Sequence, residues 1–322
     1  VQSAASLWQK AEAVEGASVL SLWHLASLDA PTVAVVWSMA IGWSAHVQVR
    51  GASVAVLALG TWIVYVLDRL LDGLGSASGL RARHHFHRRY GGLLLGLCAL
   101  ASMVLAGLCW GALPRGLVGF YLLLGVPVAG YALWVHGGLL RPDRLHHDLL
   151  QRGSYSGRPA GKRSRWEAGR CGSGKEVAVA VLFTAAVVAP AFAAAGPGAG
   201  LQLLVTSVLV AGLFFLNCAF ISYAENPGGS GVGCWLGPGS VLLAVLATAG
   251  FAGAGMHGGL EQAPYAAVAG AALLLRGLLS LQRGRADAHR LRILADAALL
   301  TPAPFLLVHL VRVWGVKGSW AG

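Results

Sequence analysis

Apolar residues run through this chain in long blocks, separated by short clusters of glycine, proline and charge. A bilayer core needs roughly 20 apolar residues in helical form, so the blocks read as membrane-spanning helices. They fall at about residues 31–47, 51–72, 92–110, 117–135, 177–195, 201–223, 241–253, 266–281 and 291–313. Pro31 suits the first turn of the first block, where the missing N–H has no partner to lose. Short turns at 111–115 and 196–198 join neighbouring blocks, and Asn226-Pro227 with the glycines after it ends the sixth. The pattern predicts an all-α fold, a polytopic membrane helical bundle of about nine transmembrane helices. Residues 1–26, with Trp8, Lys10, Glu12, Glu15 and Trp23, read as an amphipathic interfacial segment. The bundle occupies 27–314, with a long basic loop at 136–175 and a tail at 315–322.

Composition agrees with this class. Hydrophobic residues make up 56%, charged residues 11%, and the mean hydropathy is +0.66. The 45 glycines fit as well, because small residues let membrane helices approach closely. In a soluble chain the formal charge of +11 would point to nucleic acid. Here the basic residues lie between apolar spans, where they record topology and contact with anionic lipid headgroups, so membrane lipids rather than nucleic acid are the expected partners. Nine spans with a cytoplasmic N-terminus put 20 of the 24 Lys and Arg residues inside, leaving Arg50, Arg115, Arg312 and Lys317 outside. Losing one span in mid-chain would scramble that asymmetry. The expected location is therefore an integral, multi-pass one, of the kind found in a bacterial inner membrane. No signal peptide opens the sequence, and the five cysteines form neither a CxxC pair nor a regular framework.

Candidate chemistry gathers where spans two and six end on the inner side. Asp68 and Asp72 lie four residues apart, on one helical face. Carboxylates at the end of a membrane helix are costly to place, which makes them functional candidates. The sixth span ends with Asn217, Ser222, Tyr223 and Glu225. Two such ends could hold Mg²⁺ against a phosphorylated ligand, because Mg²⁺ uses one or two carboxylates plus phosphate oxygens. Arg81 and Arg83, after Asp72, could clamp the same phosphates. In the alternative reading, Arg69 neutralises Asp68 or Asp72 in a plain ion pair, and Glu225 is only a helix-end acid. Asp296, inside the last span, either faces the cavity or pairs with Arg292 one turn earlier, the second being favoured because that partner is already present.

Other motifs are weaker. His84, His85 and His87, with His146, His147 and Asp148, offer imidazoles for a transition metal, but their spacing matches no zinc pattern and solvated basic loops explain them. Gly169, Gly174 and Lys175 match a phosphate loop, yet Glu176 stands where Ser or Thr should follow and no strand precedes it. The glycines from Gly228 to Gly233 suit either close backbone approach to a phosphate or a simple turn.

Asp68-Arg69-Leu70-Leu71-Asp72 at the inner end of a second span resembles the first aspartate motif of the UbiA-like intramembrane prenyltransferases, and Leu28-Asp29-Ala30-Pro31 is similar to that family's usual opening of the first span. The resemblance covers roughly residues 27–314. It implies a helical bundle around a cavity, in which Mg²⁺ on two aspartate motifs binds a prenyl diphosphate and the isoprenoid passes to a lipophilic or aromatic acceptor. Carried onto this chain, the metal and catalytic positions are Asp68, Asp72 and Glu225, and the substrate-binding ones Tyr65, Arg81, Arg83 and Asn217. Val64 stands at the usual Asn of the first motif, and Glu225 is the one carboxylate of the second. That single acid favours an alternative: a catalytically inactive carrier or lipid-binding protein of the same fold.

Overall fold

The computed structural model describes residues 19–74, 87, 89–137, 173–225, 233–253, 262–283 and 287–318. These form eleven helices: α1 (Val19–Leu25), α2 (Asp29–Ser44), α3 (Gly51–Leu74), α4 (Gly91–Gly111), α5 (Arg115–His136), α6 (Ser173–Ala194), α7 (Gly200–Glu225), α8 (Gly233–Gly253), α9 (Ala263–Arg283), α10 (Ala288–Ala298) and α11 (Ala303–Gly318). No strand occurs among the described residues. Among the described residues, eight segments are long and apolar enough to cross a membrane: the seven helices α3 to α9, and residues 288–311 taken together. The protein is an integral, multi-pass membrane protein with an all-α bundle.

The first predicted block, α2, is only 16 residues long, and ten of them are buried. It is a core helix as much as a span, and α3, α6, α9 and α10 pack around it. Its Trp37 is fully buried and meets Phe214 of α7 edge-on, with ring centres 6.2 Å apart. Phe183 of α6 packs on the same Phe214 at 4.8 Å. By contrast α4 and α5 are little buried and show Leu93, Met103, Leu122 and Val126 outward. In a bilayer that apolar surface contacts lipid tails, so it carries no penalty.

The last predicted block is broken at Pro302, whose ring clashes with the carbonyl four residues back and whose nitrogen donates nothing. Backbone freed inside a membrane must find partners from neighbouring helices. Here the Trp37 indole N–H donates to the Leu299 carbonyl at 2.8 Å, while the Thr301 side chain ties the break to α9 by donating to the Ala267 carbonyl at 2.8 Å. Both helices of the pair α8 and α9 are close-packed because Gly250 lies against Tyr265; a Cβ there would sit 2.8 Å from the ring.

Candidate functional site

Chain direction brings the start of α2, α6, α8 and α10 and the end of α3, α5, α7 and α9 to one end of the bundle. Cross-helix bonds there tie α2 to α3, α3 to α5, α6 to α7, and α7 to α9 and α10. The titratable groups at this end separate into two sets.

The first set is buried. The chain stops α1 at Leu25, and Ser27 takes a left-handed φ of 59° before α2 begins. That turn is held by α3: Arg69 Nη1 donates to the His24 carbonyl at 2.8 Å, and Trp62 Nε1 donates to the Ala26 carbonyl at 3.2 Å. Ser27 Oγ also meets His87 Nε2 at 3.1 Å. Asp29 thereby enters the first turn of α2, where the helix dipole favours an anion. Its Oδ2 accepts from Tyr65 Oη at 3.2 Å and Arg69 Nη2 at 3.0 Å, and the Arg69 guanidinium lies 4.3 Å above the Tyr65 ring.

From the other side, α10 supplies Arg292 and Asp296. Arg292 Nη1 pairs with Glu225 Oε1 at 3.0 Å, and its Nη2 reaches Tyr65 Oη at 3.5 Å. Asp296 Oδ1 accepts from Asn217 Nδ2 at 3.2 Å. His24, fully buried, points Nδ1 to within 2.8 Å of Asp29 Oδ2 and 3.6 Å of Asp296 Oδ2. Although the first distance is that of an ion pair, Nδ1 makes no hydrogen bond, so the oxygen lies off the axis of the ring nitrogen. Burial lowers the His24 pKa below its ordinary 6.5, against the opposing pull of Asp29.

A second, more open set occupies another face of α3. His136, at the end of α5, places Nε2 3.0 Å from Asp68 Oδ1 and Nδ1 3.9 Å from Asp72 Oδ1. The ring is buried, whereas the two carboxylates keep 39% and 40% of their side-chain surface. Among the described residues, His136 is the one basic group within ion-pair distance of either. Nearby, Glu176 opens α6 in a buried position and accepts from the Ser222 hydroxyl at 2.6 Å.

The expected site is therefore divided. Asp68 and Asp72 do lie together, as their spacing implies. Arg69 pairs with Asp29 instead of with them, and Arg292 pairs with Glu225 instead of with Asp296. Tyr65 and Asn217 belong to the buried network, along with Glu225, which meets the Arg292 guanidinium. Arg81 and Arg83 lie outside the described residues, as do His84, His85, His146, His147, Asp148, Gly169, Gly228, Gly229 and Gly231.

His24, Arg69 as the partner of Asp29, and His136 were not singled out from sequence. The available signal was Arg69 itself, a cation on the helix that carries Asp68 and Asp72, which needed a partner on another helix once buried. Two carboxylates with free surface are the kind of donors that hard cations such as Mg²⁺ take together with phosphate oxygens. Glu225 is ion-paired with Arg292. A recess of about 600 Å³ opens between α8 and α9, lined by Gly233, Pro238, Val241 and Arg276, and contains neither aspartate. No family model matches the chain, and neither the curated proteins nor the solved structures contain a significant match to it.

Proposed function

We propose that this membrane protein acts on a prenyl diphosphate, transferring the isoprenoid to a lipophilic acceptor in the manner of UbiA-like prenyltransferases. The observation that carries the reading is the pair Asp68 and Asp72: half-open, four residues apart, and left by both buried arginines with an imidazole as their basic neighbour. Mg²⁺ held by these two carboxylates would neutralise diphosphate oxygens and ease departure of the leaving group, an effect of several kcal/mol. Asp68 and Asp72 orient the ion, and Arg81 and Arg83 supply phosphate contacts from the segment after α3. Tyr65, Asn217, Glu225 and Arg292 brace the ends of α3, α7 and α10 without touching substrate. The distribution of Lys and Arg favours the cytosolic side for this end of the bundle.

The second reading, a carrier of the same fold, draws support from the Glu225–Arg292 pair, which removes the second acidic helix end from cation binding. One experiment separates them. Purified protein is offered prenyl diphosphates of several chain lengths with Mg²⁺, and released diphosphate is measured beside Asp68→Asn. The enzyme reading expects release that falls on the order of 10²-fold or more in the variant. Saturable lipid binding without release at any chain length supports the carrier.

A further inference from the structure

Three carboxylates (Asp29, Glu225, Asp296) meet two guanidiniums (Arg69, Arg292) in the buried network, and each guanidinium is paired, with Asp29 and with Glu225. Asp296 is left beside His24 with its Oδ2 unpartnered. Asp29 Oδ1 and both ring nitrogens of His24 also lack hydrogen bonds, although His24 is fully buried and Asp29 nearly so. Buried polar atoms are almost always satisfied, so the neighbouring orphans His24 Nδ1 and Asp296 Oδ2, 3.6 Å apart, ask for a missing partner.

We propose that His24, Asp29 and Asp296 bind a divalent first-row transition-metal ion. One ligand atom from each lies within 4.8 Å of the other two. Metal–nitrogen and metal–oxygen bonds of about 2.0–2.2 Å place neighbouring donors roughly 2.8–3.6 Å apart. The distances from His24 Nδ1 to Asp29 Oδ2 and Asp296 Oδ2 are 2.8 and 3.6 Å. An oxygen sharing a metal with Nδ1 lies off the axis of the nitrogen lone pair, because the ion itself occupies that axis. This accounts for a 2.8 Å contact that is not a hydrogen bond.

The surroundings fit the same role. Asp29 is oriented by Tyr65 and Arg69, and Asp296 by Asn217, the arrangement by which outer partners fix metal-binding carboxylates. One imidazole with two carboxylates and no thiolate suits Mn²⁺, Fe²⁺ or Zn²⁺. The ion would staple α1 to α2 and α10, and so tie the start of the described chain to its last helix pair. This site is separate from Asp68 and Asp72 and does not depend on any prenyltransferase activity.

The test uses tag-free, full-length protein in detergent, loaded with Zn²⁺ or Mn²⁺, desalted, and assayed for bound metal by mass spectrometry. One ion per chain is expected, retained in the double variant Asp68→Asn/Asp72→Asn. His24→Gln and Asp296→Asn should each weaken binding by about tenfold or more. Because these variants can lose the fold, wild-type protein carrying Mn²⁺ provides a second readout: electron spin echo spectra should show coupling to an imidazole nitrogen. Wild type that retains no ion, an ion that shows no nitrogen coupling, or an ion lost only with Asp68 and Asp72 overturns the site.

Discussion

Asp68 and Arg69 are neighbours in sequence, yet they belong to different electrostatic worlds. Arg69 is buried and bound to Asp29, Tyr65 and the His24 carbonyl, whereas Asp68 keeps more than a third of its surface and meets one imidazole. A helix turn of 100° per residue is enough to produce the split. On one face α3 meets α2, whose Asp29 matches its guanidinium, α1, which offers the His24 carbonyl, and α10, whose Arg292 reaches Tyr65. On the other it meets the end of α5, which supplies one imidazole for two carboxylates. A buried pair such as Arg69–Asp29 fixes geometry, whereas acids with open surface are available to a ligand from solvent.

The sharpest test of that contrast compares stability across the two faces. Removing one partner of a buried ion pair leaves the other charge uncompensated, at a cost of about 3–5 kcal/mol. Arg69→Leu is expected to destabilise the protein by that amount in thermal or denaturant unfolding, because Asp29 would keep only Tyr65 and His24 beside it. Asp68→Asn should cost less than about 1 kcal/mol, as exposed pairs contribute little. The double variant Asp29→Leu/Arg69→Leu should recover most of the loss, since replacing both members of a buried pair by apolar residues is often near neutral. Equal effects of Arg69→Leu and Asp68→Asn would erase the distinction between the faces.

How much of this was readable in the chain follows from the range of the interactions. The span from 51 to 72 returns as α3 (Gly51–Leu74) and that from 201 to 223 as α7 (Gly200–Glu225), because block length and hydropathy are local properties. The block at 241–253 begins eight residues earlier, at Gly233, since Gly237, Pro238 and Gly239 resemble a turn although the helix runs through them. The last block, read as one span from 291 to 313, splits at Pro302. Pairings were less legible. The i to i+4 rule joins Arg292 to Asp296 and the adjacency of Arg69 joins it to Asp68, but both guanidiniums cross to other helices, over 67 and 40 positions. His24 lay in a segment read as interfacial, and only tertiary packing buries it.

A smaller effect sharpens the contrast through pH. His24 lies on α1, outside the spans, and burial holds its pKa below 6.5. As pH falls through 6.5 the unfolded chain takes up a proton that the folded chain does not, so the unfolded state gains. The stabilising contribution of neutral His24 is thus complete above pH 6.5 and is lost progressively below it, toward the lowered folded value. In chelator-treated protein the slope attributable to this group should be at most about 1.4 kcal/mol per pH unit. His24→Gln should remove it, as judged by unfolding midpoints across that window. A bound metal ion, which also requires the neutral ring, should steepen the wild-type dependence. An unfolding curve whose acid slope is unchanged in His24→Gln would assign the pH sensitivity elsewhere.

The smallest predicted effect concerns the open face. His136 fills the space between Asp68 and Asp72 with both ring nitrogens, at 3.0 and 3.9 Å. An ion chelated by the two carboxylates must displace at least the shorter contact, and a hydrogen bond contributes about 0.5–1.5 kcal/mol net. His136→Ala is therefore expected to raise Mg²⁺ affinity by roughly two- to tenfold. Competition against Mn²⁺, followed by paramagnetic resonance, would measure this without relying on turnover. The same substitution leaves the buried network intact, because no contact of His24, Asp29 or Asp296 among the described residues passes through His136. If Mg²⁺ instead bound more weakly to His136→Ala, the imidazole would be a support for the carboxylates, not a competitor. The open face would then share the logic of the Arg69–Asp29 pair, in which an acid is held by a basic neighbour for the sake of geometry.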